Sequence, residues 1–303
     1  MDFKNNLLII LLFTVLTSGF VFKSDFFSAF VNYGENSTHK VYALHLPDTL
    51  SFAGESFDIT SPDLRERLDR ELLVNTYWQS NMMLLLKRSN KFFPLIERVL
   101  KEEGVPIDFK YLAVIESGLE NVRSPAGAKG FWQIMSTTGR DYGLEINSNV
   151  DERYHLEFST KVAAKYLKKA KEKFGSWALA AAAYNRGING IQRNLTTQKA
   201  SNYFDLFLGQ ETSRYLFRIF AVKEIIENPI KYGYVFEQKD LYQYIPVRLH
   251  GIDTPINNLA SFAKKMGVNY KLLKIHNPWL IQNHLNNKSR KYYEIAIPEE
   301  GYY

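Results

Sequence analysis

From residue 63 to about residue 230, apolar side chains recur at the three-to-four-residue spacing of a helix, and each run is closed by a residue that helices tolerate poorly. That pairing restricts the segment to a bundle of short amphipathic helices. "DLRERLDRELLVNTYWQSN" opens the series at Asp63. "FFPLIERVLKEEG" stops at Gly104, and "VPIDFKYLAVIES" restarts with Pro106 in the first turn and Asp108 near the positive end. "FSTKVAAKYLKKAKEKFG" stops at Gly175, and Ser176 is placed to cap "WALAAAAYNRG", which closes at Gly187. "ETSRYLFRIFAVKEIIENP" carries Tyr215, Ile219, Val222 and Ile226 on one face and ends at Pro229. The expectation is a mainly α protein with an all-helical domain over residues 63–235.

Near residue 236 the pattern changes. "YQYIPVRL" and "YYEIAIP" read as short strands, and "PINNLASFAKKMGVNYKLLKIHNP" between them reads as two short helices, giving a small α+β module over residues 236–303. Residues 23–62 are turn-rich and read as a linker and extended lead-in. Residues 7–22, "LLIILLFTVLTSGFVF", are uncharged and flanked by Lys4 and Lys23. Their length falls between a signal-peptide core and a full membrane span, so residues 1–22 are expected to be a cleaved signal or a retained anchor. Either one sends the rest of the chain out of the cytoplasm, to the periplasm or cell envelope.

The 46% hydrophobic content over 303 residues is enough for a real core. The net charge of +6 suits an anionic polymer or membrane surface, but no Lys/Arg block or reading motif accompanies it, so nucleic acid is not an expected partner. The chain has no cysteine, which excludes disulfides, thiolate metal sites, a cysteine nucleophile and a lipidated N-terminal Cys. His39, His45, His155, His250, His276 and His284 are scattered, and no two of them stand four residues apart as the histidines of a zinc helix do; no metal or other cofactor is expected. There is no nucleophile elbow for a serine hydrolase.

One acid stands out. Glu116 ends the apolar run "LAVIES" and shares a helix face with Phe109, Leu112 and Ala113, so it points toward the core. Ser117-Gly118 ends that helix and puts the carboxylate at the negative end of its dipole. Burial and dipole both disfavour the ionised form, and a raised pKa is what a general acid near neutral pH needs. Downstream, "AGAKGFWQIM" supplies glycines for close backbone approach, then Trp132 and Gln133, whose amide can fix a sugar hydroxyl or acetamido group. "AAAAYNRG" sets Tyr184 and Asn185 at a helix end, and Tyr215 follows on another helix.

Taken in this order, Glu116-Ser117, "GFWQIM" from Gly130, "VDERYHLEFSTKVAAKYL" from Val150, "AAYNRG" from Ala182 and "ETSRY" ending at Tyr215 resemble the lytic murein transglycosylases, specifically the membrane-bound type D branch of the goose-lysozyme-like superfamily. The resemblance covers roughly residues 63–230; Phe131 departs from the Leu or Ile of many members. It implies a lysozyme-like helical catalytic domain that cuts the β-1,4 bond between N-acetylmuramic acid and N-acetylglucosamine in peptidoglycan glycan strands. Glu116 would be the catalytic acid and then base, with Ser117, Gln133, Tyr184, Asn185 and Tyr215 binding substrate or orienting it. Such chemistry needs one carboxylate where ordinary glycosidases need two. No second acid is expected in a motif facing the cleft: Glu120, Asp141 and Asp151 are nearest, and each has a simpler account as turn, cap or surface residue. A hydrolysing lysozyme of the same fold and a non-catalytic wall-binding protein are the rival readings. The segment from Tyr242 to Pro298 resembles a divergent LysM domain, "GIDTPINNL" replacing the usual opening, with Trp279 and Tyr293 as candidate sugar contacts.

Overall fold

The alanine run of "WALAAAAYNRG" dictates the centre of the molecule. In the computed structural model, which describes residues 41–303, it forms helix α6 (Trp177–Arg186), with Ala178 and Ala180 to Ala183 all buried. Side chains this small let other helices approach closely, and α6 packs against α5 (Leu156–Phe174), α7 (Ile188–Gln198) and α8 (Gln210–Glu227). Upstream, α1 (Pro62–Tyr77) lies along α8, and the long α2 (Gln79–Glu102) braces α5. A 3-10 turn (Ile107–Phe109) leads into the short α3 (Lys110–Ser117), and α4 (Ser136–Asp141) follows the glycine-rich loop. The stops sit where the glycines and Pro229 place them: Gly175 takes a left-handed conformation after α5, and the Ser176 hydroxyl accepts from Leu179 N–H.

The lead-in expected over residues 23–62 is more than a linker. From residue 49 it forms an antiparallel hairpin, β1 (Thr49–Phe52) and β2 (Glu55–Asp58), turned by Ala53 and Gly54, both at positive φ. Phe52 is fully buried against Phe109 and Phe220, at ring distances of 5.0 and 6.2 Å. Glu55 accepts from the backbone N–H groups of Trp177 (2.5 Å) and Ala178 (3.1 Å), from the Ser176 hydroxyl (3.0 Å) and from Lys171 (3.0 Å). The hairpin therefore places a carboxylate on the positive end of the alanine helix. The expected signal or anchor over residues 1–22 lies outside the described residues, and no helix among those described is long and apolar enough to cross a membrane.

Beyond residue 246, β3 (Val247–Ile252) pairs antiparallel with β4 (Tyr293–Pro298), from Val247 opposite Pro298 to Ile252 opposite Tyr293. Between them lie α9 (Leu259–Lys265) and α10 (Tyr270–His276), so the order is strand, helix, helix, strand. The module's core includes Val150 of the helical domain. Around it, Asn149 donates to His284 O (2.9 Å) and accepts from Asn286 N–H (2.7 Å), while Lys291 pairs with Glu145 (2.6 Å) and Glu152 (3.1 Å). Trp279 and Tyr293 stack on each other 5.6 Å apart and are buried at this seam, 4% and 7% exposed, so they are packing residues and not open sugar platforms.

Candidate active site

Helix α3 is buried on every side from Tyr111 to Ile115, and a helix apolar all round leaves its first polar residue wherever the packing ends. That residue is Glu116, which keeps part of its surface open. Gly118 stops the helix at φ 63°, closing it with its N–H on Val114 O at 2.8 Å. Tyr215, 1% exposed on α8, donates its hydroxyl to Glu116 Oε1. Arg218, one turn further along α8, donates to Ile115 O at 2.7 Å.

Burial dominates the acid's titration and pushes its pKa up. The Tyr215 hydrogen bond and the positive charge of Arg218 pull it back, and the negative charge of Glu211 pushes it up again; the net direction is upward. Tyr215 is itself pushed well above a phenol's ordinary value by burial and by the Glu116 charge, so it remains a hydroxyl donor. The site thus holds one acid biased toward its protonated form, with a fixed donor on one oxygen.

The other expected residues gather around this end of α3. Ser117 donates to Phe131 O (2.8 Å), also lying 3.2 Å from Ala113 O, which ties the helix end to the glycine loop. In that loop Gly130 is required by space as well as by its φ of 78°: a Cβ there would sit 2.1 Å from Arg153 O. Gln133 adopts φ 45°, a left-handed conformation that costs a non-glycine residue about 1–2 kcal/mol, and folds its amide nitrogen onto Gly130 O (2.7 Å). Tyr184 donates to Trp132 O (2.8 Å), and Trp132 is anchored by its indole N–H on Thr160 (2.8 Å). Asn185 donates to Glu211 (2.8 Å) and accepts from Thr212 (2.7 Å), joining the end of α6 to the start of α8.

Arg218 and the pair Glu211-Thr212 were not singled out by their sequence. Arg218 lies three residues after Tyr215 on a helix, hence on the same face, which was the available signal. Glu211 and Thr212 belong to "ETSRY" itself, and the negative charge of Glu211 is among the influences on Glu116. Of the acids that were named, Glu120 pairs with Arg88 (2.7 Å), and Asp151 is buried between Arg153 (2.8 Å) and Lys129 (3.0 Å). The buried Arg153 also donates to Gly127 O (3.1 Å) and Ile134 O (3.2 Å). The "VDERY" segment is thus a strut, holding the glycine loop on one side and the C-terminal module on the other.

Residues 94–207, which include Glu116 and every glycine-loop contact above, match the transglycosylase SLT domain. Over that segment the chain is similar to SLT transglycosylase domains. Residues 249–301 match the soluble lytic transglycosylase C-terminal LysM-like domain, in line with the LysM resemblance of the segment from Tyr242 to Pro298. Membrane-bound lytic murein transglycosylase D of Escherichia coli is homologous: the proteins of strain K12 and of strain O6:H1 are each 27% identical over 262 residues, which is 84% of this chain and 56% of the relative. The chain thus spans little more than half the length of those relatives. Among solved structures, an inactive mutant of the lytic transglycosylase Slt from Pseudomonas aeruginosa aligns over 50% of this chain and 26% of that one, with 20% identity and a TM-score of 0.39. The matched segment begins within α2 and ends after α7, so Tyr215, Arg218 and Glu211 on α8 lie outside it.

Proposed function

We propose that the chain is a lytic transglycosylase of the bacterial wall, cutting the β-1,4 bond between N-acetylmuramic acid and N-acetylglucosamine in peptidoglycan strands. The observation that carries this reading is a single, partly open acid, Glu116, biased toward protonation by burial and held by Tyr215 inside an SLT domain. In the protonated form Glu116 gives its proton to the glycosidic oxygen as the bond to the muramoyl C1 breaks, with the substrate's acetamido group assisting at C1. The carboxylate left behind takes the proton of the muramoyl C6 hydroxyl, whose oxygen bonds to C1. The product is a 1,6-anhydro end, no water is consumed, and the acid is regenerated. Arg218 and Tyr215 stabilise the anionic form midway, which keeps the same group usable as a base.

Gln133, Tyr184 and Asn185 surround the acid as groups that position the sugar, and Ser117 fixes the end of its helix. The LysM-like module would contact glycan through surfaces other than Trp279 and Tyr293. The apolar segment at residues 7–22 and the homology to a membrane-bound enzyme support a location in the envelope. The test is mass spectrometry of murein digested by residues 23–303: 1,6-anhydromuropeptides are expected, and Glu116→Gln should lose roughly 10²–10⁴-fold in rate. Reducing ends in their place would make the chain a hydrolase, with Glu211 the carboxylate to examine. Binding without product, unchanged in Glu116→Gln, would make it a wall-binding protein.

A further inference from the structure

A second cleft opens one residue past Asn185. It has a volume of about 800 Å³ and runs between α4, the C-terminal half of α5 and the α6–α7 junction. Four cations line it: Lys169, Lys173, Arg186 and Arg193. Two acids, Asp141 and Glu172, share the lining, so positive charge is in excess. Among the described residues none of these six side chains makes an ion pair or hydrogen bond within the chain. On the same helix, by contrast, Lys161 pairs with Glu157 at 2.7 Å and Lys171 with Glu55 at 3.0 Å. Lys169 and Glu172 stand one turn apart and remain apart, although helix neighbours at that spacing readily pair.

Two features point to a built cleft instead of a merely solvated face. Gly190 is buried inside α7, where glycine weakens a helix, and a Cβ there would come within 2.9 Å of Arg186 Cγ, so the missing side chain is the space that Arg186 occupies. The wall is also continuous with the active site. Tyr166, in the cleft lining, donates to Ala183 O (3.0 Å) and sets its ring edge against Tyr184, 5.5 Å away, the same Tyr184 that braces the glycine loop.

We infer that this cleft is a subsite for the carboxylates of the murein stem peptide, an inference that rests on the transglycosylase reading. The chemistry matches on three counts. The stem hangs from the muramic acid that Glu116 addresses, and a few extended residues at about 3.3–3.6 Å each reach a neighbouring cleft. Its several carboxylates meet unpaired guanidinium and ammonium groups. Where the stem carries a side-chain amine, Asp141 and Glu172 are the available partners.

The test has two arms. First, an N-acetylated tetrapeptide stem with its free carboxylates is titrated by calorimetry into residues 23–303 and into the double variant Arg186→Gln/Arg193→Gln. Binding is expected to weaken on the order of 10-fold or more in the variant, and to weaken with added salt in the parent chain. Gly190→Ala serves as a second probe that favours the helix while displacing Arg186, and a several-fold weakening without a lower Tm is expected. Equal binding by parent and variants, or none by the parent, overturns the inference. Second, kcat/KM is compared on strands with stems and on strands stripped of them by an amidase. The parent's preference for strands with stems should collapse in the double variant, and an unchanged ratio overturns the subsite. Should the parent release no product from either substrate, the transglycosylase reading fails by itself, and the calorimetry still decides the cleft.

Discussion

Removing one oxygen from Tyr215 separates the tuning of Glu116 from its burial. Tyr215→Phe keeps the ring in a site that is 1% exposed, so packing is preserved, but it deletes the donor on Glu116 Oε1. That hydrogen bond is the foremost influence lowering the acid's pKa; without it burial is opposed only by Arg218, and the pKa moves further up. The sign follows: the protonated acid persists to higher pH, so the alkaline limb of kcat/KM shifts upward, while the base step, which needs the carboxylate, is starved. A hydrogen bond to a charged group contributes about 1.5–3 kcal/mol, so losing it should lower kcat/KM at neutral pH by roughly 10- to 100-fold. Release of 1,6-anhydromuropeptides, followed from acid to alkaline pH, reads both effects. A variant with an unmoved or downward-shifted limb would show that Tyr215 does not set the ionisation of Glu116 and would refute this reasoning.

Arg218→Gln removes the other influence that favours the carboxylate and disturbs the bond to Ile115 O; the alkaline limb should again move up, with kcat falling more than KM changes, as steady-state kinetics would show. Glu55→Gln should weaken the start of α6 by about 2 kcal/mol, lowering Tm by roughly 4–8 °C in a scanning melt. Its pKa is lowered in the fold, burial being outweighed by the helix N–H groups, Lys171 and Ser176, so the deficit should be full above its ordinary 4.5 and vanish as pH falls through the lowered value. Gly130→Ala drives a Cβ into Arg153 O and strains φ, which should destabilise by roughly 2–4 kcal/mol in urea unfolding and loosen the loop that holds Trp132 and Gln133.

The helices of the helical domain were legible because their boundaries are local. Gly104, Gly175 and Gly187 stop them wherever the neighbouring residues sit, and the period of the apolar residues names the inner face. The hairpin at residues 49–58 escaped because two four-residue strands carry too little pattern to stand out, and their reason to form is Phe52 finding Phe109 and Phe220 far along the chain. Trp279 and Tyr293 read as candidate sugar contacts because nothing in their own segment reveals that they share a core with Val150 and that Tyr293 bonds to Glu145.

By itself the sequence determined that an acid would end a buried helix, in company with a glycine loop, an alanine helix and a tyrosine, because helix period and breaker residues act over a few neighbours. Only the tertiary structure decided what that acid experiences. Tyr215 and Arg218 approach from a helix a hundred residues away, Glu211 on the same helix adds its charge, and Arg153 holds the glycine loop. Ionisation depends on distance through space and on the exclusion of water, and neither quantity is carried by spacing along a chain.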